Sequence, residues 1–240
     1  MKIPPIKITS TEGVNKTDYY SSILLEYLIP FLAKKPSIHS LLEIGAGRGY
    51  LSIILAKKFP NLRKIVATDI DSQAVRLVKR NVIINNLHKR IVVKRGNLFE
   101  PVKSEKFDLI ISVPPQLPLT RRDVQQLLPK VEPYHLTTSV GGKNGRKIVD
   151  KIITNAPNHL LPGGIICFAH SDIIGIKQSL ERLESQKFGA ILLGTKIKFL
   201  NETTLTHLSK KNIEKTGYRF CKDDKNQEFF NICVIAGVHD

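Results

Sequence analysis

The sequence predicts an α/β fold: a seven-stranded, mostly parallel sheet with helices on both faces. Three observations predict it. Short apolar runs alternate with segments of helical spacing along the chain. The first clear run, Ser40 to Ile44, passes through Gly45-Ala46-Gly47-Arg48-Gly49 into a segment with Leu51, Ile54 and Leu55 on one face. The length, 240 residues, suffices for one α/β domain with a full core and only marginally for two. The expected division is an arm and lid helix over residues 1–35, then one domain over residues 36–240.

In chain order, residues 1 to 16 are polar with two prolines and read as an arm. A helix is expected from Asp18, which can cap it, with Ile23, Leu24, Tyr27, Leu28 and Phe31 on one face and Pro30 kinking or ending it. Strands are expected at Ser40–Ile44, Lys64–Thr68, Arg90–Lys94, Phe107–Ser112, Ile165–Ala169, Ala190–Phe199 and Glu228–Ala236. Helices are expected at Tyr50–Lys58, Ser72–Asn81 with Asp71 as N-cap, Lys147–Leu160 and Ile176–Ser185, plus a short one at Glu202–Lys211. Leu119–Val140 reads as an insertion, and Leu160-Leu161-Pro162-Gly163-Gly164 as a turn into the fifth strand.

The glycine spacing excludes two ligand classes. A dinucleotide fingerprint starting at Gly45 wants its last glycine at position 50, which is Tyr50. A phosphate-gripping loop ends in Gly-Lys-Ser/Thr, and Gly49-Tyr50-Leu51 does not. The pattern is E-x-G-x-G-x-G, from Glu43 to Gly49. Asp69 follows about 20 positions on, at the carboxyl end of the second strand, where an acidic side chain accepts hydrogen bonds from ribose hydroxyls.

On these residues the chain resembles class I S-adenosylmethionine (SAM)-dependent methyltransferases. The resemblance implies a Rossmann-like sheet whose last strand is antiparallel, and SAM as cofactor. It implies cofactor contacts from Glu43, Gly45, Gly47, Gly49, Asp69, Ile70, Asn97, Leu98 and Ser112. Asp69 would hold the ribose, Ile70 would pack on adenine, and Asn97 stands where the family often has an acid for the adenine amino group. Tyr19 and Tyr20 of the first helix are candidates to line the site, with packing on the sheet as the alternative. His170, just past the fifth strand, is a further candidate to face it.

Val113-Pro114-Pro115-Gln116 follows the fourth strand and stiffens the loop where such sheets hold substrates. With Gly141-Gly142-Lys143-Asn144-Gly145 it resembles the Asn-Pro-Pro-Tyr group of amino-methyltransferases, which modify glutamine amides or base nitrogens. Here Val113 and Gln116 replace the amide-gripping Asn and the stacking Tyr. Together with Tyr50-Leu51-Ser52-Ile53 and the tail Glu228-Phe229-Phe230, the loop also resembles the methyltransferase domain of methionine S-methyltransferases. The expected substrate is therefore a small-molecule or amino-acid-like acceptor. RNA or a protein glutamine is the alternative, and a non-catalytic SAM-binding module is the third reading. Val113, Pro114, Pro115 and Gln116 are the expected catalytic loop, working by positioning, since Ser112 and Gln116 offer no base.

Composition bounds the rest. The formal net charge of +16 is compatible with a polyanionic partner, but aromatics are only 7% and no tract interleaves them with basic residues. Three scattered cysteines and the absence of metal-ligand spacing predict a reduced, cytoplasmic protein without a metal. No apolar run reaches membrane-spanning length.

Overall fold

The computed structural model describes residues 5–10, 19–35, 37–201 and 205–239. The expected Asp18 cap and the start of the Glu202 helix lie outside them. The elements run α1 (Tyr19–Leu32), β1 (Ser40–Ile44), α2 (Tyr50–Lys58), β2 (Lys64–Asp69), α3 (Ser72–Ile84), β3 (Ile91–Arg95) and β4 (Phe107–Ser112). Then come β5 (Leu117–Pro118), α4 (Arg121–Leu127), α5 (Pro133–Thr137), β6 (Val140–Gly142), α6 (Lys147–Asn155) and β7 (Leu160–Ser171). The chain continues with α7 (Ile176–Ser185), β8 (Phe188–Phe199), α8 (Leu205–Leu208), α9 (Lys210–Glu214), β9 (Cys221–Lys222) and β10 (Glu228–His239).

The main sheet has the order β3-β2-β1-β4-β7-β10-β8, with the two-residue β9 added beside β10. β1 to β4 and β7 pair in parallel, and β10 runs antiparallel to both β7 and β8. The expected seven strands and antiparallel last strand are therefore present. All five residues of β1 are buried, as a central parallel strand covered on both sides requires. The strand order, which runs outward from β1 through β2 to β3, restarts on the other side of β1 at β4, and a crevice opens beyond the carboxyl ends of strands at such a point.

Four departures from the expected elements have local causes. Pro30 does not break α1 but lies within its last three residues, and the helix ends at Leu32. α6 stops at Asn155 rather than Leu160, and a 3₁₀ turn over Ala156–His159 follows. Pro157 has no N–H to continue the helical ladder there. Leu160–Gly164 is a bulged start of β7 rather than a free turn. Phe107 pairs with Leu160 and Leu109 with Ile165, so the extra residues loop out around Gly163 at φ +72°. The insertion folds into α4 and α5 and is closed at its base by a parallel β5–β6 pair. Thr120 and Asp123 form a reciprocal capping box at the start of α4.

Candidate active site

A cleft of about 1170 Å³ opens over the carboxyl ends of the strands. Of the residues expected at the cofactor, Glu43, Gly45, Gly47, Asp69, Ile70, Asn97, Leu98 and Ser112 line it, and so do Val113 to Gln116; Gly49 does not.

Its first end is built on the β1–α2 turn. Gly45, Gly47 and Gly49 have φ of +75°, +55° and +77°, a backbone that L side chains rarely adopt. A Cβ on Gly45 or Gly47 would meet nothing within 4 Å, so conformation rather than crowding selects glycine there. At Gly49 a Cβ would come within 2.9 Å of Val78 Cγ1. The Thr68 carbonyl accepts from the N–H groups of Gly45 and Ala46, both at 2.9 Å, which ties the turn to β2. Glu43 is buried, and its Oε2 accepts from the Ser52 N–H at 3.1 Å and from the Ser52 hydroxyl.

Asp69 completes this end. Its Oδ2 accepts from the Gly47 N–H at 2.9 Å and its Oδ1 from the Asp71 N–H at 3.0 Å. Burial raises its carboxyl pKa above the ordinary value, with these backbone donors acting the other way. Asp71 caps α3 as expected, accepting from the Gln73 N–H at 2.9 Å. A contributor missed in the sequence is Asn81. Its side-chain NH₂ donates to the Arg48 carbonyl at 3.0 Å, and its Oδ1 accepts from the Thr9 N–H at 3.0 Å. The arm is thereby strapped to the glycine turn through α3. A lone Asn at mid-helix carries no sequence signal for that role.

At the other end, Ser112 Oγ donates to the Ile44 carbonyl at 2.9 Å and holds the ends of β4 and β1 together. Gln116 is anchored from two directions. Its Oε1 accepts from the Ser171 N–H at 2.5 Å and the Ser171 hydroxyl at 3.0 Å, while its N–H donates to the Ser139 carbonyl at 2.9 Å. The Gly-Gly-x-x-Gly segment packs against this loop. A Cβ on Gly141 would lie 2.7 Å from Gln116 Cα, and one on Gly145 2.3 Å from the Gln116 carbonyl oxygen. The two motifs that shared a resemblance are in direct backbone contact.

Tyr19 and Tyr20 line the cleft, and the Tyr20 hydroxyl bonds the Ser171 side chain. Burial pushes the Tyr20 phenol well up, so it stays protonated. Lys198 of β8, another residue missed in the sequence, sits over both rings, 4.5 Å and 5.4 Å from their centroids. His170 does not face the cleft. It is fully buried, with Nδ1 at 2.7 Å from the Ser171 carbonyl and Nε2 at 2.8 Å from Ser179 Oγ. Alternation along β7 turns Ser171 toward the cleft and His170 toward α7.

The lining fits SAM: an open glycine cradle with left-handed backbone, an acid at its rim, and room beyond for an acceptor. Fold and cleft together are those of a class I SAM-dependent methyltransferase. The family profile described as the methyltransferase small domain matches residues 6–127. The chain belongs to this family and is a methyltransferase with S-adenosylmethionine as methyl donor.

A provisionally named protein N5-glutamine methyltransferase of Methanocaldococcus jannaschii is 35% identical over 78% of this chain and 87% of its own length. A release factor glutamine methyltransferase of Aquifex aeolicus is 36% identical over 58% of this chain and 50% of its own. The chain thus spans about half of the latter. Among solved structures, the E. cuniculi Mtq2–Trm112 complex, which methylates the termination factor eRF1, shares the fold. It has a TM-score of 0.55 at 16% identity, covering 95% of this chain and 99% of its own. These relatives correct the small-molecule acceptor expected from Val113 and Gln116. The physical reason lies in Gln116, whose side-chain oxygen is committed to Ser171 and anchors the loop. Among the described residues, no helix is long and apolar enough to cross a membrane.

Proposed function

We propose that this enzyme methylates the side-chain amide of a glutamine in a protein. The M. jannaschii relative, matched over most of both chains, carries this reading. The cleft supports it in two ways. First, its charge is mixed: Arg48, Lys130 and Lys198 stand against Glu43, Asp69, Asp71 and Glu132. The excess charge of +16 therefore lies elsewhere, and the cleft is not the electropositive groove that RNA would need. Second, the acceptor loop is rigid and polar through its backbone, which suits a neutral amide.

SAM supplies an already activated methyl group when bound, so the chain's own task is alignment. Asp69 would take the ribose hydroxyls, Ile70 the adenine face, and Asn97 and Leu98 the adenine edge. Glu43 and the turn from Gly45 to Gly49 would hold the remainder, and Ser112 would keep the two strand ends in register. The Val113 and Pro114 carbonyls would accept the amide hydrogens, Pro115 would stiffen the loop, and Gln116 would fix it to β7. Hydrogen bonds to both amide hydrogens hold the nitrogen in place without a strong base.

The test is transfer of labelled methyl from SAM into a release factor, ribosomal protein uL3, total protein and total RNA. Detection of N5-methylglutamine in protein hydrolysates is the expected result. Label confined to RNA would overturn the reading.

A further inference from the structure

Lys198 differs from two neighbouring cations at this edge of the sheet. Lys196, two residues earlier on β8, meets Glu26 at 2.6 Å, and Lys210 meets Glu228 at 2.5 Å. Among the described residues, Lys198 is in no such ion pair; its Nζ rests on Tyr19 and Tyr20 and lines the cleft. Burial lowers its pKa from the ordinary lysine value, with no carboxylate opposing that shift. The tyrosine faces attract the ammonium but accept no hydrogen bond in line with its three donors.

Strand order assigns the end of the cleft at which this charge sits. The glycine turn and Asp69 belong to β1 and β2, whereas β8 lies at the far edge, beyond β4, β7 and β10. The acceptor loop follows β4 and Ser171 ends β7, so both stand between them in strand order. A carboxylate arriving at Lys198 has two sources, the methionyl part of SAM or the acceptor, and the strand order favours the acceptor.

We propose that Lys198 is a specificity-determining residue that binds a carboxylate of the acceptor, so that the preferred glutamine has an acidic neighbour. This rests on the glutamine reading above. No bond forms or breaks at Lys198; its ammonium completes its hydrogen bonding with the incoming carboxylate.

The probes are a glutamine pentapeptide with neutral flanks and versions carrying one Glu, or one Lys, at each flanking position. The wild-type enzyme is expected to prefer at least one Glu peptide about tenfold in kcat/KM, through KM. Lys198→Met should abolish that preference with kcat on the neutral peptide within about twofold. Lys198→Glu should move the preference to the Lys peptide at the same position. Equal use of neutral and acidic peptides by the wild type overturns the proposal without any variant.

Binding of adenosylhomocysteine and methylthioadenosine to Lys198→Met separates the two sources. Unchanged affinity for both is expected. Weaker binding of adenosylhomocysteine alone would assign the carboxylate to the donor and overturn the proposal. If no peptide is methylated, the glutamine reading fails. Calorimetric binding of the same peptides to the adenosylhomocysteine-loaded enzyme then decides Lys198. A Glu preference lost in Lys198→Met supports its role, and no preference overturns it.

Discussion

Gln116 and Ser171, 55 residues apart, are joined by two hydrogen bonds onto a single oxygen: the Ser171 N–H and hydroxyl both donate to Gln116 Oε1. The end of β7 thereby sets the position of the loop after β4. Gln116→Ala removes both bonds and is expected to cost about 1–2 kcal/mol of stability. Because the loop then shifts relative to the cleft, turnover should fall on the order of tenfold to a hundredfold. The SAM dissociation constant should change by less than about threefold, since Gln116 lies at the acceptor end. Steady-state kinetics beside calorimetric SAM binding check the split; equal losses in both would remove Gln116 from the acceptor loop's function.

Two glycines separate backbone strain from crowding. Gly163 has φ +72° and open space around a built Cβ, so Gly163→Ala should cost about 1–2 kcal/mol from conformation alone. Gly145 has φ +75°, and a Cβ there would also lie 2.3 Å from the Gln116 carbonyl oxygen and 2.4 Å from Ile174 Cγ2. Gly145→Ala should cost a further 1–3 kcal/mol or so from overpacking, and it should lower turnover as well. Urea unfolding of the two variants, with activity measured in parallel, tests the difference.

The ribose role proposed for Asp69 predicts a link between SAM binding and pH. Its folded-state pKa lies above the ordinary 3.8, chiefly through burial. Between the ordinary value and the raised one, the folded protein holds a proton that the unfolded chain has released. Stability from this group therefore decreases as pH rises through that window. Ribose hydroxyls need the ionised carboxylate, so SAM affinity should begin to fall at a higher pH than an ordinary aspartate would give. Asp69→Asn should flatten that dependence, and Asp69→Ala should weaken SAM by about 1.5–3 kcal/mol. Titrations from pH 7 downward read both, and an unchanged affinity in Asp69→Ala would sink the ribose assignment.

His170 predicts acid sensitivity of the fold. Burial lowers its pKa from 6.5 to about 4, with the Arg146 charge adding to that effect and the Ser171 hydrogen bond and Asp150 opposing it. Below 6.5 the unfolded chain takes up a proton that the folded chain refuses until about pH 4. The stability it contributes is complete above pH 6.5 and is lost as pH falls toward 4, to a total of about 3 kcal/mol. Unfolding midpoints at pH 7 and pH 4.5 should differ less in His170→Gln than in the wild type. An identical difference would show that other groups govern the acid limb.

Much of the end proposed to hold the cofactor is readable from the chain because its constraints are local. Three alternating glycines must be left-handed to turn from β1 into α2, and an acid one strand later falls beside them through a parallel pairing of fixed register. Asp71 declares itself as a cap by position alone. The central strands follow from apolar runs that tolerate burial on both sides, while the edge strands β3 and β8 are mostly half-buried or exposed. The acceptor end is different. Whether Val113 and Gln116 signify a small acceptor depends on what Gln116 bonds, and Ser171 is brought to it only by the pairing of β4 with β7.

Sequence by itself therefore determined the α/β class, the strand sequence, the glycine turn with Asp69, and the loop of Val113 to Gln116. Tertiary structure alone decided that His170 points away while Ser171 points in, that Leu160–Gly164 is a bulge, and that Lys198 joins Tyr19 and Tyr20 in the cleft. The physical reason is one of range. Backbone conformation and burial periodicity are written in neighbouring residues, whereas the partner of a side chain is set by pairing and packing between segments that the sequence places far apart.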